Sequence, residues 1–202
     1  MVRHRLIGLL GPKGAGKSTV ADYLTEHYGA YVYSFASPLK EIIRLAFDMK
    51  REQLYGTQEQ KETVDPRYNV SPRWLMTRIG TEGVRQVLGK NFWIEQTLRD
   101  IGSDACELAV VDDVRFLNEA QYVRMGYDVD GREGAGHGVV WLLDPRGYMT
   151  PEQAEHESEA DWVTAPCDEI IRPERRDLDL LYRLVDEKCA KIGLRKKGQV
   201  TT

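Results

Sequence analysis

The sequence predicts an α/β protein with three layers, in which helices cover both faces of a mainly parallel, five-stranded sheet. Two observations support this fold class. Five short apolar segments alternate with helical patterns along the chain, as expected of parallel strands joined by helices. The first apolar segment also leads through a glycine-rich loop into a helix, an arrangement that α/β sheets use to bind phosphate.

The composition limits the functions that this chain can have. Its 202 residues suit one domain, and a net charge of −4 argues against general binding to nucleic acid or membranes. The sequence has no apolar run long enough to span a membrane, and its N-terminal apolar stretch is too short for a signal peptide. The three cysteines are too widely spaced for a zinc site or a disulfide framework. We therefore expect a reducing, cytoplasmic location.

The glycine-rich loop from Gly11 to Thr19 follows the first strand and fits the pattern G-x-x-x-x-G-K-[ST]. Its glycines allow backbone N–H groups to turn inward, and the helix that begins near Lys17 adds the positive end of its dipole. Lys17 can reach the β- and γ-phosphates of a nucleotide, and the Ser18 hydroxyl can bind Mg2+. The residues predicted to hold the nucleotide phosphates are Gly11, Lys13, Gly14, Ala15, Gly16, Lys17, Ser18 and Thr19.

The second strand is predicted from Ala30 to Phe35. Ser37 and Pro38 then open a helix, Leu39 to about Met49, with Pro38 near its first turn. The residues between strand and helix lie at the usual ligand edge of an open sheet, which makes Ser34, Phe35 and Lys40 candidates for substrate contacts. The polar stretch from Arg51 to Pro72 is predicted to be a long mobile excursion. It is either functional or a plain surface insertion.

A helix predicted from Trp74 to Leu88 carries Arg78, Glu82 and Arg85 at spacings of four and three residues, which places them on one face. They form either a solvated, ion-paired face or a pair of arginines directed at an anion with Glu82 between them. The next helix, to about Ile101, carries Trp93. This tryptophan could stack on a base, although a core position is the commoner outcome for tryptophan.

A continuous apolar strand, Leu108 to Val111, ends in Asp112 and Asp113. Acids at the tip of such a strand can hold Mg2+ directly or through water. The other interpretation is that the two acids, which precede Arg115, simply cap the helix that follows. Together with Ser18, these two acids form the predicted metal site.

The remaining elements complete the predicted sheet. A strand at Val139 to Leu143 is followed by a loop, 144–155, in which Arg146 either enters the active site from a lid or lies on the surface. The polar run His156 to Glu159 has no function that its composition alone indicates. A brief strand at Asp168 to Ile171 and an amphipathic helix from Leu178 to Ile192 precede a frayed tail, 195–202.

Four blocks of this chain resemble the bacteriophage deoxynucleoside monophosphate kinases, within the wider group of P-loop nucleotide kinases. The blocks are GPKGAGKSTVADYL at Gly11 to Leu24, SFASPLKE at Ser34 to Glu41, RIGTEGVRQVLGKNFWI at Arg78 to Ile94, and VVDDVRFLNEA at Val110 to Ala120, with a weaker fifth, HESE, at His156 to Glu159.

The resemblance implies transfer of the γ-phosphoryl group of ATP, with Mg2+, to a deoxynucleoside monophosphate (dNMP) for DNA precursor synthesis in a phage. It implies a core (1–38, 102–143 and 156–194), a monophosphate-binding flap (39–101) and a lid (144–155). An exposed apolar face on the flap could form a homodimer. Two other functions stay open: a kinase for another small anion, such as dephospho-coenzyme A or a phosphorylated metabolite, and a nucleotide switch.

The resemblance also assigns roles to residues. Arg78 and Arg85 would clamp the acceptor phosphate, Asp113 matches the single acid of the family's D-V-R-F block, and Arg115 would lie against the transferring phosphoryl group. The predicted catalytic residues are Lys17, Asp113, Arg115 and Arg146. The residues predicted to bind the dNMP are Ser34, Phe35, Lys40, Arg78, Glu82, Arg85, Trp93, Asp113 and Arg115. Near the lid, the arginines that could assist are Arg132 and Arg146.

Overall fold

The structure of the protein is a computed structural model that describes residues 5–12, 14–104, 106–126, 138–144, 165–172, 174 and 176–198. The strands are β1 Arg5–Leu10, β2 Tyr31–Tyr33, β3 Leu108–Val114, β4 Gly138–Leu143 and β5 Glu169–Ile171. The helices are α1 Lys17–Tyr28, α2 Ser37–Ala46, α3 Arg51–Tyr55, α4 Gln58–Glu62, α5 Pro72–Thr77, a π-helix Arg78–Arg85, α6 Gln86–Leu88, α7 Phe92–Ser103, α8 Leu117–Met125 and α9 Leu178–Lys191.

The five strands form one sheet in the order β2-β3-β1-β4-β5, and every pairing is parallel. This confirms the predicted α/β class with a parallel, five-stranded sheet. Parallel pairing brings the carboxyl ends of β1, β2, β3 and β4 to one edge. The phosphate-binding loop, Ser34 and the two acids of β3 therefore all lie at that edge.

The chain forms two compact units, Met1–Ser34 with Leu98–Thr202, and Phe35–Thr97. The first unit buries a core made by the sheet together with α1 and α9, in which Ile7, Val110 and Trp141 are fully enclosed. The second unit has its own apolar core, which consists of Leu39, Ile43, Met49, Leu54, Leu75 and Trp93. The predicted division into core, flap and lid has other boundaries and stays a prediction.

The stretch from Arg51 to Pro72 contains the two short helices α3 and α4, so the prediction of one long loop is wrong. Thr57 begins α4 with a capping box, because its Oγ1 accepts from Gln60 N at 3.3 Å and its N–H donates to Gln60 Oε1 at 2.8 Å. Asp65 is buried and accepts hydrogen bonds from Gln53 and Arg67. Hydrogen bonds between polar side chains thus stabilise this segment. Its polar composition therefore resembles that of a loop.

The predicted α-helix from Trp74 to Leu88 contains a π-helix. Between α5 and α6, residues Arg78–Arg85 have the wider turn in which N–H groups bond to carbonyls five residues earlier. Gly80 and Gly83 lie in this segment, and glycine weakens an ordinary α-helix. A side chain at Gly80 would place its Cβ 2.6 Å from Leu39 Cδ2, so a larger residue here would require the Leu39 side chain to move.

Three element boundaries differ from those predicted. Strand β2 is limited to three residues, α2 opens at Ser37 and Pro38 as predicted but ends at Ala46, and β3 continues through both acids to Val114. Pairing with β1 extends β3, a long-range effect that the local apolar run does not reveal.

The chain after α9 is also more ordered than predicted, at least as far as Gly198. Lys196 Nζ lies 2.7 Å from Asp186 Oδ2 and donates to Tyr23 at 2.7 Å, while Lys197 N donates to His27 O at 2.8 Å. These contacts attach the tail to α1 and α9, so the expectation of fraying does not hold for residues 195–198. Within the described ranges, none of the helices combines the length and the apolar character needed to cross a bilayer.

Candidate active site

The phosphate-binding loop connects β1 to α1, and its glycines have backbone angles that favour glycine. Gly11, Gly14 and Gly16 have φ values of 141°, 80° and 94°. At Gly11 the packing adds a second requirement, because a Cβ there would lie 2.5 Å from the carbonyl oxygen of Leu143. The loop therefore fits closely against the end of β4, and the sequence pattern that predicted it has a direct steric cause.

Lys17 lies at the first turn of α1 and its ammonium group is directed back to the loop. Its Nζ donates to the carbonyl oxygens of Gly11 at 2.5 Å and Pro12 at 2.8 Å. Ser18 is exposed at the same helix terminus, Thr19 is half-buried and Ala15 is buried. Lys13, also predicted to bind the phosphates, lies outside the described residues. A helix N-terminus with a lysine and inward-turning glycines offers positive potential to an anion.

A β-bulge in β3 occurs at the two acids. Gly8 of β1 pairs with Val111, whereas Leu10 pairs with Val114, so Leu9 is opposite both Asp112 and Asp113. A bulge of this kind interrupts the alternation of side chains and can redirect one of them. Both acids are half-buried. Ser34, the residue after β2, donates from Oγ to Asp113 Oδ2 at 2.5 Å, so the structure brings these two predicted residues together.

Arg115 is the first residue after β3 and lies two residues before α8. A buried carboxylate, that of Glu119, binds its backbone N–H. Glu119 Oε2 accepts from Arg115 N at 2.7 Å and from Phe116 N at 3.0 Å, and Glu119 is only 7% exposed. Glu119 is not among the residues predicted to belong to the site. Its position, three residues after the N-cap residue Phe116, is that of the glutamate in a capping box, but Phe116 has no side-chain acceptor, so the sequence lacks the usual signature of this motif.

In the second unit, the π-helix carries the three predicted anion-binding residues. Arg78 Nη1 forms an ion pair with Glu82 Oε2, and Arg78 Cζ lies over the Trp74 ring, 5.5 Å from its centroid. Arg85 is the last residue of the π-helix. The prediction that all three residues lie on one face assumed α-helical spacing. A π-helix has a wider turn, which changes the directions of these side chains relative to one another, so that prediction no longer holds.

Two aromatic residues predicted to contact substrate are buried instead. Trp93 is 7% exposed in the core of the second unit, and its Nε1 donates to Gly80 O at 3.1 Å. An indole enclosed in this way has no open face for a base, so the stacking interpretation of Trp93 is corrected to a core role. The side chain of Phe35 is also buried, with 4% of the residue exposed.

Lys40 lies on α2 beside an aromatic and an acidic residue of the second unit. Its Nζ is 4.5 Å from the Tyr55 ring centroid, and Tyr55 OH donates to Glu41 Oε1 at 2.9 Å. The hydrogen bond from Arg44 is the main cause that lowers the pKa of Glu41, and the bond from Tyr55 adds to it. Glu41 therefore contributes a stable negative charge next to Lys40.

Several predictions fall on residues that the structure does not describe. Arg146, Arg132 and the run His156 to Glu159 belong to this group, as does the proposed lid beyond Asp144. Asp144 itself is buried at the end of β4, where its N–H donates to Ile171 O at 2.9 Å and its Oδ2 lies 3.5 Å from Arg172 Nε.

The donors available for a metal are hydroxyl and carboxylate oxygens. Ser18, Asp112 and Asp113 offer the hard ligands that Mg2+ prefers, and Mg2+ needs only one or two carboxylates beside phosphate oxygens and water. In the part of the chain that is described, no group of three or more His, Cys, Asp or Glu side chains could form a cage for a metal ion. The hydroxyl and carboxylate oxygens of Ser18, Asp112 and Asp113 therefore fit Mg2+ that is also bound by phosphate oxygens and water.

One solved structure has a similar fold over nearly the whole chain. The crystal structure of TT1252 from Thermus thermophilus is 16% identical, covers 94% of this chain and 98% of its own, and superposes with a TM-score of 0.53. At this identity the similarity establishes the fold alone.

Sequence relatives are more specific. A family model described as deoxynucleotide monophosphate kinase matches residues 5–68. A protein of Acanthamoeba polyphaga mimivirus, provisionally named a deoxynucleotide monophosphate kinase, is 41% identical, and the match covers 59% of this chain and 68% of the relative. The deoxynucleoside-5′-monophosphate kinase of Escherichia phage T5 is 25% identical over 59% of this chain and 71% of its own.

A phosphate-binding loop at the carboxyl edge of an all-parallel sheet, together with these relatives, defines an ATP-dependent kinase of nucleotide phosphates with the P-loop fold. The chain belongs to the deoxynucleotide monophosphate kinase family.

Proposed function

We propose that this protein transfers the γ-phosphoryl group of ATP to the 5′-phosphate of a dNMP, which gives a deoxynucleoside diphosphate and ADP. Membership of the family carries the proposal, and the phosphate-binding loop supports its donor half. The acceptor phosphate is already an anion and needs little help from a general base. The main difficulty is repulsion between two polyanions, so catalysis requires positioning and neutralisation of charge.

Residues of the first unit are proposed to hold the donor. The loop N–H groups and Lys17 bind the phosphates of ATP, and Arg115 stabilises the charge of the transferring group. Ser18, Asp112 and Asp113 would hold Mg2+, which supplies further neutralisation of phosphate charge when it is bound. The hydrogen bond from Ser34 supports this assignment, because it fixes the orientation of the Asp113 carboxylate.

Residues of the second unit are proposed to hold the acceptor. Arg78 and Arg85 bind its phosphate, since a guanidinium can donate two parallel hydrogen bonds to one phosphate group. Lys40 adds positive charge and Glu82 adds negative charge near these two arginines. Arg146 remains a proposed lid residue.

The biological setting follows from the same proposal. Both named relatives are viral, so we propose a role in DNA precursor supply in the cytoplasm of an infected host. The partners are small nucleotides rather than nucleic acid. The exposed side chains of Val87 and Leu88 are consistent with a homodimer formed through the second unit.

Product analysis tests the proposal directly. The protein is incubated with ATP, Mg2+ and each common deoxy- and ribonucleoside monophosphate, and diphosphates are separated by ion-exchange chromatography. Dephospho-coenzyme A and a phosphorylated sugar serve as control acceptors. Phosphorylation of one or more dNMPs is expected. Transfer to a control acceptor alone, or slow ATP hydrolysis that no acceptor changes, would contradict the proposal.

A further inference from the structure

We propose that Trp74 is a positioning residue for the acceptor phosphate, because its indole ring holds the guanidinium of Arg78 in place. The inference rests on the proposed function, since it assumes that Arg78 binds the acceptor. Three side chains spaced four residues apart carry the argument: Trp74, Arg78 and Glu82. Residues at this spacing are neighbours on a helix surface.

Trp74 is exposed to an extent that packing does not explain. Its side chain is 47% exposed, whereas Trp93 and Trp141 are buried in the two cores. Tryptophan is enriched at binding surfaces, because its ring is apolar while its N–H can meet water or a polar partner. The Trp74 backbone is held firmly, because Ser71 caps α5 and its Oγ accepts from Trp74 N at 3.1 Å. The Trp74 ring is therefore exposed on a residue whose backbone is fixed by the helix cap.

The contacts of Arg78 leave donors for an anion. Within the described part of the chain, its recorded partners are the Trp74 ring and one Glu82 oxygen, which takes Nη1. A guanidinium has five N–H donors in its plane, so contact of Cζ with the Trp74 ring and one bond from Nη1 to a carboxylate do not exhaust them. Nε and Nη2 can still form the paired hydrogen bonds that phosphate accepts.

A second arginine beside an aromatic ring in the same unit provides a contrast. Arg67 Cζ lies 5.3 Å from the Tyr68 ring centroid, which resembles the arrangement at Trp74. The guanidinium of Arg67, however, donates to Asp65 at 2.8 and 3.0 Å and to Asp48 O at 3.1 Å. Arg67 is engaged in structure, so Tyr68 supplies a matched control for the loss of a ring next to an arginine.

The test compares Trp74→Leu and Trp74→Phe with the control Tyr68→Leu. Apparent affinities are measured for ATP, for a dNMP, and for deoxyribose 5-phosphate as a competitor that has a phosphate but no base. An exposed cation–π contact contributes about 0.5–1 kcal/mol, so Trp74→Leu should weaken both phosphate ligands by about two- to fivefold. Trp74→Phe should recover most of this loss, while the KM for ATP stays unchanged. Tyr68→Leu should leave all three affinities as they are.

A double-mutant cycle completes the experiment. In an Arg78→Ala background, Trp74→Leu should have no further effect, because the ring acts through the guanidinium. A loss confined to the dNMP would show that the ring stacks on the base instead, and a loss that persists without Arg78, or no loss at all, would equally overturn the inference. If the unmodified protein phosphorylates no dNMP, the proposed function itself fails, and product analysis of that protein distinguishes this case.

Discussion

The Ser34 hydroxyl donates a 2.5 Å hydrogen bond to Oδ2 of Asp113, which joins the ends of two neighbouring strands at the carboxyl edge of the sheet. The bond occurs where the bulge in β3 places two acids opposite one residue of β1. A carboxylate at a bulge has fewer backbone constraints than one in a regular ladder. The hydrogen bond from Ser34 adds a constraint on the orientation of the Asp113 carboxylate.

Removal of this hydroxyl should reduce turnover. Hydrogen bonds to charged groups contribute about 1.5–3 kcal/mol, so Ser34→Ala should lower kcat by about tenfold or more if Asp113 must keep one orientation. Ser34→Thr keeps a hydroxyl and should restore most of the rate. Steady-state kinetics with saturating ATP and dNMP measures the effect. An unchanged kcat for Ser34→Ala would show that Asp113 does not depend on this bond.

Lys17 should be essential for the chemical step. Loss of a group that stabilises charge on the transferring phosphoryl costs roughly a thousandfold in kcat, and this is the expected result for Lys17→Ala. Lys191→Ala is a suitable control, because Lys191 forms surface ion pairs with Glu169 and Glu187. Single-turnover measurement of dNMP phosphorylation distinguishes the two variants. Near-normal turnover of Lys17→Ala would show that Lys17 does not stabilise the transferring phosphoryl group.

The features that the sequence predicted best are those whose cause is local. The glycines of the phosphate-binding loop have their angles set within a few residues, and the apolar run of β3 alternates with helices in a recognisable order. The bulge at Asp112 and Asp113 could not be predicted, because it depends on the register between β3 and β1. The roles of the tryptophans depend on packing in the second unit, so composition alone could not show that Trp93 is buried and Trp74 exposed.

Glu119 should influence both stability and turnover. It accepts two backbone N–H groups while buried, so Glu119→Ala leaves these donors without their partner and should cost about 1–3 kcal/mol of unfolding free energy. Because one donor belongs to Arg115, we also expect kcat to fall by about tenfold with little change in either KM. Glu119→Gln keeps an acceptor oxygen and should restore both quantities. Urea unfolding and steady-state kinetics test them separately, and a loss of stability with normal kcat would assign Glu119 to folding alone.

Acidification should weaken the second unit through Asp65. Hydrogen bonds from Arg67, then from Gln53, hold the pKa of Asp65 well below its ordinary value of 3.8. A lowered pKa in the folded state stabilises the protein above the ordinary value, and this contribution disappears as the pH falls through the folded pKa. Asp65→Asn should therefore lower the melting temperature at neutral pH, with a difference that shrinks on acidification below about pH 4.

The control for that measurement is Asp48→Asn. Asp48 also approaches Arg67, at 3.5 Å, but its side chain is fully open to solvent, where ion pairs contribute little. Its melting temperature should stay close to that of the unmodified protein at every pH. A pH-independent difference between Asp65→Asn and the unmodified protein would mean that the charge of Asp65 is not what stabilises the segment.

The last prediction concerns the attachment of the C-terminal tail to α1. Asp186 Oδ1 accepts from Tyr23 at 2.9 Å and from Tyr28 at 2.8 Å, while Lys196 lies 2.7 Å from Oδ2. Burial by itself would raise the pKa of Asp186, but the hydrogen bonds from Lys196 and the two tyrosines lower it overall. The hydrogen bond to Asp186 raises the pKa of Lys196 above its ordinary value of 10.5.

These two shifts define a pH window for the contact. The Asp186 contribution is lost as the pH falls through its lowered pKa, and the Lys196 contribution is lost as the pH rises through its raised pKa. Lys196→Ala should therefore reduce the free energy of unfolding by about 1 kcal/mol over the whole range between the two ordinary pKa values, 3.8 for Asp186 and 10.5 for Lys196, with smaller differences below and above it. The neighbouring Arg195→Ala is the control and should have no such effect. Urea unfolding across this pH range measures the difference, and equal stability of Lys196→Ala and the unmodified protein would show that the tail contact does not stabilise the first unit.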